Sequence, residues 1–330
     1  MKKIKIVVTM DVEPTTATTH PTATGPAEWG LGERAVRGYA ELAGDHGFPV
    51  TYFIHPEAAL AQADMFDELR ARGACLGLHI HAWKYAMWRH QSKRYMAHYG
   101  GLSESDQRAL LAEAGALWQQ MLGEWPRYFR PGTFSANDAI FRVLDDLGFD
   151  GGSCSVPGRQ MPEMQAVWNG TEPDPHRGHA YFRQLAGDLE FVNMPLSADF
   201  SLALEGRIGR RLHPDLRPDT DWQAQYGLSY DTIAANIVGQ VLARAPQVPV
   251  INVVSHNHYD YRDPRDPARQ RLQQSLKALA GACAAAGVEP VGATLAEIVD
   301  DVRSAARVEV PFVCEGNIME RTGTLGTLGA

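Results

Sequence analysis

Apolar runs of strand length alternate with segments whose apolar residues recur at helical spacing, and this alternation fills most of the chain. Residues 4–9 read as a buried strand, 33–46 as a helix closed by Gly47, and 50–54 as a second strand. A helix over 57–72 stops at Gly73, the residue type that ends helices in a left-handed turn. Residues 75–81 read as a third strand. The clearest helix is 103–122, where Leu110, Leu111, Ala114, Leu117, Trp118, Met121 and Leu122 recur behind Ser103, a good N-cap. Downstream, 127–130, 149–154, 189–194, 248–255 and 288–291 read as strands, and 137–147, 230–244, 268–286 and 295–304 as helices.

Repeated strand–helix alternation predicts parallel strands with helices packed outside them. The pattern therefore predicts an α/β fold, with seven or eight parallel strands in a closed or nearly closed (β/α) barrel rather than two domains. One barrel domain is expected over 1–310, followed by an extension, 311–330, flexible at its end. Chemistry in such barrels collects at the C-terminal ends of the strands. Two segments look irregular: 14–30, rich in Thr, Pro and Ala, and 157–187, rich in Pro, Gly and polar residues. Both follow strands and would wall the mouth of a site.

Composition acts mainly by exclusion. With 330 residues, 45% of them hydrophobic and 21% charged, the chain can bury a full core. No stretch approaches the ~18 apolar residues needed to span a bilayer, so no membrane partner is expected. A net charge of −8 argues against a nucleic-acid surface. Four Cys at 75, 154, 283 and 314 contain no Cys-x-x-Cys pair, which fits reduced thiols better than a disulfide framework or a structural zinc site. The N-terminal apolar run meets Asp11 and Glu13 at once, so it does not read as a signal peptide, and a cytoplasmic location is expected.

Four strand ends carry chemistry. Asp11 and Glu13 stand two apart in extended backbone, so both carboxylates face the same side. They are either a base and a metal ligand or two acids opening a solvated turn. His79 and His81 repeat that spacing at the end of the third strand. Two imidazoles and a carboxylate are the usual donors of a hydrolytic metal centre, against the alternative of two structural histidines. Arg130, before Pro131-Gly132, could hold a carboxylate by a paired contact, although taken alone it reads as a surface Arg before a turn. In Ser255-His256-Asn257-His258, one histidine could donate a proton to a leaving group, and spacing does not choose between His256 and His258. His55 could line the site, His176 and His179 could contact substrate, and Trp83, Tyr85 and Trp88 lie in a segment, 83–99, that reads as surface or rim and could stack on a sugar. His20, His46 and His213 read as ordinary surface or packing residues.

In order, these pieces resemble the polysaccharide deacetylase (NodB-homology) family. Thr9-Met10-Asp11-Val12-Glu13 looks like its first motif, Gly77-Leu78-His79-Ile80-His81 its second, Phe129-Arg130-Pro131-Gly132 its third, and Val253-Val254-Ser255-His256 its last. The resemblance runs from about residue 4 to about residue 300. It implies a distorted (β/α) barrel with about seven parallel strands and metal-dependent removal of an acyl group, usually acetyl from an amino sugar, with zinc the first choice of metal. Asp11 would be the general base, Glu13 a carboxylate ligand where Asp is usual, and His79 the first histidine ligand. Arg130 would orient Asp11, and His256 would be the general acid. The family's second histidine ligand falls on Trp83, so either His81 takes that role, or the protein supplies two ligands with water completing the site, or the site binds no metal. The acid that supports the last histidine has no clear counterpart, and Asp199 is the candidate. The expected substrate is a small N-acylated amino sugar or related metabolite. Hydrolysis of a cyclic amide or formamide stays open, as does a catalytically silent barrel that binds a sugar or metabolite, the reading Trp83 favours.

Overall fold

β1 (Lys2–Val12) is covered on both faces from Ile4 onward apart from half-buried Lys5, as a near-continuous apolar run in a parallel sheet requires. Ile4, Ile6, Val8, Met10 and Val12 join the large outer core beneath the helices, while Val7 joins a second cluster inside the sheet. The two-residue period carries Thr9 and Asp11 to that same inner face. The computed structural model describes residues 2–20, 23–91, 93–206 and 209–307. The extension expected at 311–330 lies outside the described residues, as does Cys314. Cys75, Cys154 and Cys283 are buried free thiols.

The chain continues through α1 (Trp29–Gly44), β2 (Val50–Ile54), α2 (Pro56–Ala71), β3 (Cys75–Ile80), α3 (Ala82–Trp88), α4 (Glu104–Leu122), β4 (Tyr128–Pro131), α5 (Ile140–Asp146) and β5 (Gly151–Gly152). Six two-residue strands follow: β6 (Gln160–Met161), β7 (Ala166–Val167), β8 (His176–Arg177), β9 (Val192–Asn193), β10 (Leu204–Glu205) and β11 (Arg211–Leu212). The last part is α6 (Trp222–Tyr226), α7 (Tyr230–Arg244), β12 (Val250–His256), α8 (Pro267–Ala285), β13 (Val288–Gly292) and α9 (Leu295–Ser304).

The main sheet runs β12–β1–β2–β3–β4–β5–β9 with every neighbouring pair parallel, and β8 adds an antiparallel edge. With β13, which pairs parallel to β1, the sheet holds eight parallel strands among the described residues, within the seven or eight that the alternation predicts. β13 pairs with the first half of β1, below the stretch that pairs with β2. The sheet curls into an incomplete barrel whose seam lies between β9 and β12. Hydrogen bonds bridge the seam: Ser197 N–H donates to Asn252 O at 3.2 Å, and Asn252 Nδ2 donates to Pro195 O at 3.1 Å. α9 packs inside the N-terminal end, where Leu295, Ile298, Val299 and Val302 meet Val7, Phe53, Tyr128 and Val192. Burying each such side chain stabilises the fold by about 1.5–3 kcal/mol. Among the described residues no helix is long and apolar enough to cross a membrane.

Some boundaries differ from the periodicity. Of the strands expected at 149–154 and 189–194 only β5 and β9 pair, because Gly151-Gly152 gives the ladder no side chains to pack and Pro195 removes a donor. Helix α5 starts three residues late because the Asn137 side chain accepts the Ala139 N–H at 3.1 Å, closing a local turn instead. Segment 157–187 is not wholly irregular: β6 and β7 join β10 and β11 in a four-stranded sheet. Strands of two residues are too short to register as a period. Segment 83–99 is not simply a rim, because it begins with α3, and Tyr85, Tyr95 and Tyr99 are buried.

Candidate active site

Parallel register sets the site. It places Asp11 beside His256 across β1 and β12, and His79 beside Arg130 across β3 and β4. All four lie at C-terminal strand ends, with Glu13 and His81 just beyond them.

Glu13 Oε1 lies 2.9 Å from His81 Nε2 and 3.4 Å from His79 Nε2. One donor atom from each of the three residues falls within 4.8 Å of the others, and all three side chains are buried. His79 Nδ1–H donates to Arg130 O at 3.0 Å, which turns Nε2 toward Glu13. Burial, which outweighs the pull of Glu13, pushes His81 down to about 4, so it is a neutral imidazole at neutral pH. Burial alone would raise the Glu13 carboxyl, but His81, Lys84 and His79 together hold it well below the usual carboxylate range. Two imidazoles and an ionised carboxylate form a donor set that fits a divalent metal.

Arg130 crosses the interior. Its Nη1 donates to Asp11 Oδ1 at 2.7 Å, its Nη2 to Thr9 Oγ1 at 2.9 Å and its Nε to Ser153 O at 3.2 Å. The guanidinium lies 4.1 Å from the Phe53 ring centroid and 5.3 Å from that of Phe134. Burial would raise the Asp11 carboxyl, but Arg130, His79 and His256 outweigh it and hold it below its ordinary value. Asp11 Oδ2 faces His256 Nε2 at 3.9 Å. On the other side of that ring, Nδ1–H donates to Asp219 Oδ2. Burial pulls His256 down, but Asp219 and Asp11 more than offset this and raise it above the ordinary imidazole value.

The backbone after Arg130 explains Pro131-Gly132. A Cβ on Gly132 would sit 2.3 Å from His81 Cγ and Nδ1. Only glycine lets the strand end approach that ring. Thr133 and Phe134 then both take φ of 56°, a left-handed conformation that costs on the order of 1–3 kcal/mol each. The turn sets Phe134 against Arg130. Gly132→Ala is expected to displace His81 and lower stability by about 1–3 kcal/mol. A urea melt checks this, and an unchanged midpoint would refute so tight a contact.

Asp11, Glu13, His79, His81, Arg130 and His256 therefore converge. His258 lies beside His256, ring centroids 5.5 Å apart, but it pairs with neither Asp11 nor Asp219: its Nδ1 is buried without a partner among the described residues, and its ring centroid is 4.0 Å from that of Tyr259. Asp199 does not support His256 either, since it accepts from Ser201, Asn236 and Gln240. The acid on His256 is Asp219, which also accepts from Ser255 Oγ at 2.8 Å. His55 caps α2, its Nδ1 accepting from Glu57 N–H at 3.3 Å. His176 donates to Asp174 O at 2.8 Å and packs on Phe141, away from the strand ends that carry the site. His179 Nδ1 accepts from the Tyr181 N–H, a local turn. Tyr85 is buried with its hydroxyl donating to Glu113, so it cannot face a ligand, whereas half-buried Trp83 lies beside His81 at 6.2 Å.

Sequence reasoning missed Asp219 and Lys84. Lys84 Nζ donates to Glu13 Oε2 at 2.8 Å and to Thr24 O at 2.7 Å, tying the 14–30 segment to the site. A short helix read from Ala82 onward would have found it, because His81 and Lys84 are three apart and share a face.

Residues 30–152 match the profile of the family described as polysaccharide deacetylase. No curated protein matches the chain. Among solved structures, a Mycobacterium smegmatis protein described as a polysaccharide deacetylase is 15% identical, with a TM-score of 0.57 over 93% of this chain and 95% of that one. PuuE allantoinase is 14% identical, with a TM-score of 0.56 over 94% and 92%. A Pseudomonas aeruginosa PAO1 protein described as a polysaccharide deacetylase is 13% identical, with a TM-score of 0.55 over 94% and 93%. At these identities the likeness carries the fold. The matched segment, from α1 to β5, is part of the chain, and the fold around it is the one these structures share.

Proposed function

We propose that the chain is a metal-dependent amide hydrolase that removes an N-acyl group, acetyl above all, from an amino sugar or a related small N-acylated metabolite. The supporting observation is the pairing of two devices at one barrel mouth: the Glu13–His79–His81 donor set and the Asp11–His256 pair. When bound by Glu13, His79 and His81, a divalent ion, zinc for this donor set, supplies Lewis acidity toward an acyl oxygen and a water.

The remaining work falls to side chains. Arg130 occupies Asp11 Oδ1 and leaves Oδ2 to accept a proton. Asp11 is ionised at neutral pH, so it takes the proton of the attacking water. The raised His256, held through Nδ1 by Asp219, offers a proton from Nε2 to the departing nitrogen. The C–N bond breaks, a C–O bond replaces it, and a carboxylic acid and an amine leave. Lys84 holds Glu13 Oε2 and so leaves Oε1 for the histidines.

Lys84 also favours one rival. An ammonium on Glu13 can stand in for a divalent ion, as it would in a silent sugar- or metabolite-binding barrel. Metal content separates the two readings. Protein purified without an affinity tag is expected to hold about one divalent ion per chain, lost in His79→Ala and His81→Ala. Acetate release from small N-acetylated sugars should follow the metal, and cyclic amides and formamides belong in the same screen because an allantoinase shares the fold. A wild type that takes up no metal after reconstitution removes the hydrolase reading and leaves the binding barrel.

A further inference from the structure

We propose that Arg159, backed by Arg217, receives an oxyanion of the substrate, so that the compound turned over carries a carboxylate or phosphate as well as its amide. This rests on the hydrolase reading above and narrows it.

Arg159 is 8% exposed and precedes β6. Its guanidinium lies 5.2 Å from the Phe134 ring centroid, the same ring that Arg130 approaches at 5.3 Å. One aromatic side chain thus separates Arg159 from the cation that holds Asp11. Phe134 packs with Val156, Leu196 and Val254, and Val254 stands two residues before His256 on β12. Arg159 therefore stands one aromatic ring away from Arg130, on the side of β12 that leads to His256.

Its charge has no adequate partner. The buried Nε finds no acceptor among the described residues. The carboxylate that acts on it, Asp215, is already gripped by Arg217, whose Nε donates to Oδ1 at 2.8 Å and to Oδ2 at 2.7 Å. Two guanidiniums share one carboxylate, and the field of Arg217 reaches Asp11 and Asp219. Stacking on Phe134 attracts the cation but satisfies none of its N–H groups. Burial and Arg217 push Arg159 down to about 9, still a cation at neutral pH. An uncompensated buried cation is strongly unfavourable, and a guanidinium fork matches the oxygens of a carboxylate or phosphate. A neutral sugar would leave the charge unpaired. An anionic substituent would pair it on binding.

The test has two arms on metal-loaded protein. In the first, inorganic phosphate and succinate are titrated into wild type and Arg159→Gln while thermal unfolding is followed. One of the two anions is expected to raise the wild-type Tm by a few degrees and to leave the variant unmoved. The variant without anion should unfold at or above the wild-type temperature, since it loses an unpaired buried charge; a purely structural arginine would lower it. In the second, acetate release is compared for N-acetylglucosamine, its 6-phosphate and N-acetylmuramic acid. Wild type should favour an anionic substrate by about 10–100-fold in kcat/KM, the range of a charge-assisted hydrogen bond. Arg159→Gln should lose that preference through KM. Phosphate against succinate, and the 6-phosphate against the muramic acid, tell which oxyanion is received. If an anion stabilises wild type but no substrate is hydrolysed, the anion site stands and the hydrolase reading falls. If neither anion stabilises wild type and neutral and anionic sugars are hydrolysed alike, the anion site is overturned and the hydrolase reading survives. Should the variant fail to fold, the wild-type measurements decide alone.

Discussion

Asp11→Asn is expected to lower kcat by about 10²–10⁴-fold, the range contributed by a positioned general base. The amide keeps the size of the side chain and can still accept from Arg130 Nη1 through its oxygen. It cannot take a proton from water. The metal donors are separate residues, so metal content should stay at the wild-type level. Stability should fall, because Arg130 loses the charge of its buried partner; removing one partner of such a pair costs about 3–5 kcal/mol. Here the loss should lie below that range, since Thr9, Ser153 and the Phe53 ring still hold the guanidinium. The measurement is kcat on an N-acetylated substrate, with metal content and a melting curve on the same sample. A folded, metal-loaded Asp11→Asn enzyme within tenfold of wild type would move the base to another residue.

The parts of this site that were legible in the sequence share one cause. Asp11, Glu13, His79 and His81 sit at strand ends with a period of two, and that period alone assigns them a common face. Parallel order then brings neighbouring strand ends together, which is why Asp11 meets His256 and His79 meets Arg130. The short strands escape the pattern for the opposite reason: β5 to β11 have two residues each, too few for a period. Asp219 was invisible because it lies in a loop with no period, 37 residues from the histidine it supports. Asp199 sits beyond the expected strand, yet its carboxylate turns toward α7 and binds Asn236 and Gln240. Lys84 was hidden among aromatic residues that read as a rim, and Gly132 showed its purpose only once His81 was seen 2.3 Å from its missing side chain. Period finds residues that point the same way; contacts between loops must be seen.

Removing the acid at either of its two parts should give different pH profiles and a shared floor. The general acid must be protonated, so activity falls as pH rises through the pKa of His256. Asp219 and Asp11 hold that value above the ordinary imidazole figure of about 6.5, so the wild-type alkaline limb should lie above it. Asp219→Asn removes the larger of the two raising influences and leaves burial, which pulls the other way. Its alkaline limb should move down by about one pH unit or more, each unit being tenfold in activity beyond the limb. At pH 6 the loss should be smaller, because more of the histidine is protonated there than at higher pH and the Asn oxygen can accept from Nδ1–H. His256→Ala should lower kcat about 10²–10⁴-fold and abolish that limb altogether. If Asp219 acts through His256, the double variant is no worse than His256→Ala alone, since groups that work as a unit are not additive. Rate profiles from pH 5 to 9 on the three variants decide the point. Losses that multiply in the double variant would show that Asp219 serves the reaction by a route other than this imidazole, and an unshifted limb in Asp219→Asn would show that another group sets it.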